Sequence, residues 1–309
     1  MIQPLHAAPQ GPLLDLVLGY DCNLACDYCT ITLEMRRRNM TTDDVRRRLR
    51  EGRAKGCTRV AFTGGEPTIR SDLVPLVEEA RLLGFEWVKV QSNAVRFSYA
   101  HYLDRLIHAG VDVFHVTVSH ADDAGRDRLT RVPGSAAASR SGLDALLSRG
   151  LDVVLDVIVK SDTASHLPDT IAALHRRGAR RFHLWLVSLT DGNRENVDSL
   201  PRVSEIRPQL EAAFEYGRAH DLEVLSLHIP RCMLPGSEAH VWDVLREDVV
   251  VSTPDATFSL RDSRLAPNAK VDACGACVYD PVCSGVRRDY LERFGESEIV
   301  PVSEGRRGT

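Results

Sequence analysis

Residues 13–29 read Leu-Leu-Asp-Leu-Val-Leu-Gly-Tyr-Asp-Cys-Asn-Leu-Ala-Cys-Asp-Tyr-Cys, an apolar run followed closely by three cysteines. The run predicts a strand that ends at Gly19, and Cys22, Cys26 and Cys29 form a C-x3-C-x2-C pattern in the loop after it. A structural zinc site needs four ligands, normally as two separated pairs, and this loop offers three cysteines without a nearby histidine. An iron–sulfur cubane is usually held by four thiolates, so three thiolates leave one iron open to a small molecule.

Beyond this loop, short apolar runs alternate with amphipathic stretches. Thr41 and Asp44 fit a capping box at the start of the first predicted helix. The strands predicted after it cover residues 60–63, 87–91, 111–119, 151–159, 182–187 and 224–228. Strands that are apolar on both faces and separated by helices predict a parallel sheet with helices outside it. Alternation alone does not distinguish a doubly wound sheet from a barrel.

A second motif follows the strand at residues 60–63, where Gly64-Gly65-Glu66-Pro67 ends the run. Together with the three cysteines and Tyr28, this motif resembles the radical S-adenosylmethionine (radical SAM) enzymes over about residues 13–187. The resemblance implies an α/β fold, a partial (β/α)6 TIM-type barrel over residues 13–228. It also implies a [4Fe–4S] cluster on the three cysteines, with SAM on the open iron.

The family pattern implies which residues contact SAM. The first cluster ligands are Cys22, Cys26 and Cys29, and the cofactor-binding candidates are Tyr28, Gly64, Gly65, Glu66, Pro67, Ser92, Asn93, Ser119 and Arg131. Glycines let backbone carbonyls approach the SAM ammonium group closely. For Ser92, Asn93, Ser119 and Arg131, a plain strand-end or helix-capping role is the alternative.

A second cysteine group lies near the C-terminus. Cys274, Cys277 and Cys283 form C-x2-C-x5-C, and Cys232 upstream brings the count to four thiolates. Four cysteines suit either zinc or a cubane. In radical SAM enzymes, C-terminal SPASM and twitch extensions hold auxiliary [4Fe–4S] clusters on such segments. The resemblance therefore implies a twitch-like domain over residues 229–303 with one auxiliary cluster, and structural zinc is the alternative.

Cys232 allows two interpretations because it follows the last predicted barrel strand. In the first, it is the fourth ligand of the auxiliary cluster. In the second, it is a free thiol that donates hydrogen to a substrate radical, as in the related peptide epimerases. Ligation is the simpler interpretation.

Some polar residues in the barrel strands have no family signature. His115 and His183 alternate with apolar residues, so they face either the barrel interior or the surrounding helices. Trp185, Asp191 and Arg194 lie at or past the end of the strand at residues 182–187, on the rim where α/β barrels build active sites. These three are candidates for substrate contact.

The composition narrows the class of protein. The 309 residues carry a formal net charge of −4, which argues against nucleic-acid binding as the main role. No apolar run approaches the length of a membrane span and no signal peptide is recognisable, so a cytoplasmic protein away from membranes is expected. Eight cysteines in such a compartment indicate metal binding or chemistry rather than disulfides.

These features predict an enzyme that cleaves SAM and abstracts a hydrogen atom from a substrate C–H bond. The favoured substrate is a ribosomally synthesised peptide that undergoes epimerisation, crosslinking or oxidation. No peptide-recognition domain is expected before the first strand, which weakens that choice without excluding it. The alternatives are dehydrogenation of a small molecule such as an aminocyclitol, or a non-catalytic electron-transfer protein. The enzyme hypothesis also requires a reductase or flavodoxin-like electron donor.

Overall fold

The computed structural model describes residues 10–262 and 268–303. In it, most strands form one parallel sheet, and the helices lie on one side of this sheet. Strand and helix alternate along the first part of the chain: β1 (Leu13–Val17), α1 (Thr42–Ala54), β2 (Arg59–Thr63), α2 (Leu73–Leu82), β3 (Trp87–Ser92), α3 (Ala100–Ala109), β4 (Val113–Thr117), α4 (Asp123–Thr130), α5 (Ser135–Leu147), β5 (Asp152–Val159), α6 (Leu167–Arg176), β6 (Arg181–Leu186), α7 (Val203–Ala219) and β7 (Glu223–Leu227). Strands β1 to β7 are adjacent in chain order, and each pair is parallel. This order confirms the predicted α/β fold.

The remaining elements are short: β8 (Val241–Trp242), β9 (Val249–Ser252), β10 (Thr257–Ser259), β11 (Asn268–Ala269), β12 (Val286–Arg287) and α8 (Arg288–Phe294). Strands β9 and β10 form an antiparallel hairpin. It is not separate from the barrel, however, because β9 pairs with β1 and β8 pairs with β7. Both strands thereby cover backbone groups that would otherwise form open edges of the sheet.

Apolar side chains between the sheet and the helices form the core. Phe62, Phe114, Phe182 and Phe214 are fully buried there. The predicted capping box starts α1, since Thr41 and Asp44 bond to each other's backbone N–H groups. Because the strands are parallel, their carboxyl ends meet at one rim of the sheet. Binding sites in sheets of this kind lie at that rim.

Within the described ranges, no helix combines the length and the apolar character needed to cross a bilayer.

Candidate active site

The loop that carries the first three cysteines lies at this rim and is anchored from two sides. Arg36 donates to the carbonyl oxygens of Leu24 at 2.6 Å and Cys22 at 3.3 Å. On the other side, the backbone N–H groups of residues 25 and 27 donate to the carbonyls at the end of α4. These contacts fix the path of the backbone between the cysteines.

The Gly64-Gly65 pair presses against the start of this loop. A Cβ on Gly64 would lie 2.3 Å from the carbonyl oxygen of Gly19, and one on Gly65 would lie 2.1 Å from that of Asp21. Gly64 also has a φ of +124°, in the region that favours glycine. In addition, Gly65 N–H donates to the Gly19 carbonyl at 2.9 Å. The two glycines are thus required for close contact between β2 and the cysteine loop.

Glu66 joins the end of β2 to the end of β3. Its buried carboxylate accepts hydrogen bonds from the Ser92 hydroxyl at 2.8 Å and from the Asn93 backbone N–H at 2.7 Å. It also accepts from the backbone and hydroxyl groups of Thr68. Burial raises the pKa of Glu66, and these donors oppose that shift. Asn93 then reaches the cysteine loop through a 2.8 Å bond from its Nδ2 to Asn23.

A cavity of about 160 Å³ joins these parts. Most of the predicted first-site residues line it: Cys22, Cys26, Cys29, Tyr28, Gly64, Gly65, Glu66, Ser92, Asn93 and Ser119. Pro67 does not line the cavity; it is buried at the start of a short 3-10 helix. Arg131 does not line it either, because it is exposed in a left-handed conformation at the end of α4. The structure therefore gives no support to the predicted SAM contact of Arg131.

Sequence reasoning missed Arg126, which lines the cavity from within α4. Its guanidinium donates to the Ser139 hydroxyl at 2.5 Å, and that hydroxyl donates to the Asn93 carbonyl at 2.5 Å. Burial lowers the pKa of Arg126, but a guanidinium stays charged at neutral pH. A fixed positive charge therefore lies in the wall of the cavity. Helix α4 was not predicted from the sequence. Recognising this short helix would have been the signal that identifies Arg126.

Two thiols of the first group resist ionisation unless a cation is bound. Burial raises the pKa of Cys22 to about 11 and that of Cys26 to about 12. Burial also raises the pKa of Tyr28, whose hydroxyl bonds with Cys26 and Ser119. Because a coordinated metal deprotonates a thiol outright, partly buried thiols that face a cavity fit a metal cluster.

The structure brings Cys232 together with the other three cysteines of the second group. All four line one small cavity of about 20 Å³. Burial, followed by the charges of the other three thiolates, raises the pKa of Cys232 to about 12. A four-thiol set is thus assembled although Cys232 lies far from Cys274 along the chain.

A larger cavity of about 380 Å³ opens beside the second group, at the rim of the barrel. Asp191 and Arg194, two of the predicted substrate-contact residues, line it, and Cys283 lies in its wall. Arg287 closes one side, because it donates to the carbonyls of Leu186 and Val187 at the end of β6. The C-terminal segment is therefore fastened to the barrel at this opening.

The fold, together with the cysteine loop beside the 160 Å³ cavity, is typical of an α/β-barrel protein that holds a metal cluster. Residues 16–174 match the model of the radical SAM superfamily. The chain belongs to this superfamily, which implies SAM and a [4Fe–4S] cluster.

Curated relatives match more than half of the chain. The chain is 33% identical over 181 residues to the PqqA peptide cyclase of Xanthomonas campestris pv. campestris, covering 57% of this chain and 46% of that protein. The chain thus spans about half the length of the peptide cyclases that it matches. It is also 34% identical over 212 residues to a probable GTP 3',8-cyclase of Methanopyrus kandleri, covering 67% of each chain.

Solved structures share the fold over nearly the whole chain. The SAM-bound structure of Streptococcus suis SuiB has a TM-score of 0.67 at 14% identity and covers 94% of this chain and 76% of that one. Native anSMEcpe with bound SAM has a TM-score of 0.66 at 14% identity and covers 94% of this chain and 93% of that one. At this identity the likeness establishes the fold.

Proposed function

We propose that the protein is a radical SAM enzyme that abstracts a hydrogen atom from a substrate C–H bond. Cys22, Cys26 and Cys29 would hold a [4Fe–4S] cluster that, when reduced, supplies a 5′-deoxyadenosyl radical from SAM. The observation that carries the proposal is the 160 Å³ cavity, because it joins the three partly buried thiols to the ends of β2, β3 and β4. An electron donor such as a reductase or flavodoxin-like protein is part of the proposal.

The residues around this cavity would position SAM and exclude water. Glu66 fixes the Asn93 backbone, and Gly64 with Gly65 lets β2 pack directly against the loop backbone. The buried Arg126 guanidinium matches the carboxylate of SAM in charge, since Arg is suited to carboxylates. Positioning a bound cofactor in this way supplies much of the specificity of a radical reaction.

The second cysteine group would hold an auxiliary [4Fe–4S] cluster on Cys232, Cys274, Cys277 and Cys283. This segment and β8 to β12 form the proposed C-terminal domain over residues 229–303. The gathering of four thiols in one cavity supports ligation by Cys232 over its role as a hydrogen donor.

The proposed substrate is a ribosomally synthesised peptide. The peptide cyclase relatives and the fold neighbour solved with a bound precursor peptide support this choice. The 380 Å³ cavity at the rim is large enough for side chains of a peptide. A small-molecule substrate is the second candidate, supported by the relative named a GTP cyclase, which shares the larger part of this chain.

The test is anaerobic incubation of the reduced, cluster-loaded protein with SAM. We expect 5′-deoxyadenosine as a product, and its absence with both clusters intact would refute the radical hypothesis. Candidate peptides and small molecules are then incubated in deuterated water. Loss of two hydrogen atoms indicates oxidation or crosslinking, whereas gain of one deuterium indicates epimerisation through an exchangeable donor.

A further inference from the structure

Four ionisable side chains lie side by side in the interior of the barrel. They are contributed by four consecutive strands: His115 by β4, Asp156 by β5, His183 by β6 and Glu223 by β7. The side chains of Asp156 and Glu223 are only 2% and 1% exposed, and those of His115 and His183 are 11% and 15% exposed. Burying this many ionisable groups is costly unless they are paired or bind a metal.

These four side chains lie next to the cavity that the first three cysteines line. Asp156 is the register partner of Thr117 on β4 and of His183 on β6. Thr117 lines that cavity. The four residues therefore form part of the barrel interior beneath the cavity, apart from both cysteine groups.

Three of these side chains point ligand atoms at a common centre. Both His115 Nδ1 and His183 Nδ1 face the same carboxylate oxygen, Asp156 Oδ1, at 3.3 Å and 3.8 Å. One ligand atom from each residue falls within 4.8 Å of the others. Bonds of about 2.0–2.2 Å to a tetrahedral zinc ion place nitrogen and oxygen ligands about 3.4 Å apart. The observed separations bracket that value.

The residues that contact the three candidate ligands also fit a metal site. His183 Nε2 lies 3.6 Å from Glu223 Oε1, and Arg181 holds Glu223 through a 3.0 Å bond. The Trp185 indole N–H donates to Asp156 Oδ1 at 2.9 Å. Histidines that bind metals commonly donate their other ring N–H to a carboxylate, and ligating carboxylates are themselves hydrogen-bonded.

We propose that His115, Asp156 and His183 form a binding site for a divalent zinc ion. Two imidazoles and one carboxylate favour zinc over calcium or magnesium, which prefer oxygen ligands. Three protein ligands leave one coordination position for a further group. The ion would join β4, β5 and β6 across the barrel interior, and it does not depend on the proposed radical chemistry.

The test uses the cluster-loaded protein, incubated anaerobically with zinc sulfate and then desalted. We expect about one zinc ion per chain, with a zinc K-edge EXAFS shell of nitrogen and oxygen at about 2.0 Å. A sulfur shell at about 2.3 Å or the absence of retained zinc would overturn the proposal. The absorption edge of zinc is separate from that of iron, so the clusters do not obscure the result.

Two variants assign the ligands. His183→Ala is expected to lower bound zinc at least tenfold, whereas His101→Ala, on an exposed position of α3, is expected to retain it. If His183→Ala fails to fold, Asp156→Asn keeps the shape of the side chain and is expected to give the same loss. Undiminished zinc in the folded variant would contradict the assignment. Neither measurement requires SAM cleavage, so failure of this site and failure of the radical hypothesis are distinguishable.

Discussion

Lys160, directly after β5, forms an ion pair with Asp27 in the loop of the first three cysteines, at 2.7 Å between Nζ and Oδ2. The side chains are 5% and 19% exposed, so the pair is largely removed from water. Asp27 Oδ1 finds no hydrogen-bond partner among the described residues. The pair ties the cysteine loop to the sheet on the side away from Gly64.

We expect Lys160→Met to destabilise the protein and to reduce iron in the first cluster. Breaking a buried pair leaves an uncompensated carboxylate, at a cost of about 3–5 kcal/mol. For a chain of this size, that cost lowers Tm by on the order of 10 °C. Arg177→Met is the control because its partner Asp144 lies on the surface, where pairs contribute about 0–1 kcal/mol. Thermal unfolding measures the Tm of both variants. Equal Tm values would show that the buried pair stabilises the protein no more than the surface pair does.

The contact of Gly64 with Gly19 gives a second prediction. Gly64→Ala is expected to abolish SAM binding, measured by anaerobic titration calorimetry, because the new Cβ would push the cysteine loop away. Gly178→Ala is a matched control: its φ of +104° brings similar strain, but its Cβ would meet no atom within 4 Å. We expect Gly178→Ala to cost about 1 kcal/mol of stability and to bind SAM normally. Similar binding by both variants would contradict the steric argument.

Local sequence signals predicted the strands, the α1 capping box and both cysteine groups. Apolar runs and helix caps act over a few residues, so a single sequence reveals them. The pairing of β9 with β1 was not predicted, because such a contact is settled by tertiary packing and leaves no local pattern.

The same limit applies at the site. The family pattern points to Arg131, whereas burial of Arg126 depends on how α4 packs against α5. His115 and His183 alternate with apolar residues in the sequence, but their convergence on Asp156 follows from the register of three strands. Side-chain convergence across a barrel requires the fold as well as the sequence.

Replacing Arg126 and replacing Arg131 are expected to have different effects on SAM affinity. Arg126→Met is expected to weaken SAM binding about tenfold or more, because a buried charge-assisted hydrogen bond contributes on the order of 1.5–3 kcal/mol. Arg131→Met removes an exposed side chain outside the cavity and is expected to leave SAM affinity unchanged. Equilibrium titration with SAM measures both. The reverse pattern would restore Arg131 as the cofactor contact.

Replacing Cys232 tests the ligands of the second cluster. Cys232→Ala is expected to lower iron from about eight to about four atoms per chain, or to alter the EPR spectrum of the second cluster. Cys57→Ala serves as the control, because Cys57 is buried in the apolar core away from both groups. Iron content and spectrum that both match the wild type would exclude ligation and favour a free thiol that donates hydrogen.

His228 makes the stability of the barrel rim sensitive to pH. Its ring packs edge-on against Trp185, with ring centroids 4.9 Å apart. Burial, together with the positive charge of Arg287, lowers the pKa of His228 to about 4, although the Leu186 carbonyl and Asp289 oppose the shift. An unfolded histidine has a pKa of about 6.5. Between these two values the unfolded chain binds a proton that the folded chain does not bind.

The free energy of unfolding should therefore fall as the pH falls through 6.5, and it should not change from this group at higher pH. From pH 7.5 to 5.5, this single group is expected to remove about 1 kcal/mol, which lowers Tm by about 2–4 °C. The Tm of His228→Asn should fall less between these pH values, because asparagine cannot take up a proton. His101→Asn, at an exposed position, should retain the wild-type decrease. Thermal unfolding of the three proteins at both pH values measures the difference, and parallel curves for wild type and His228→Asn would show that His228 does not remain neutral in the folded state.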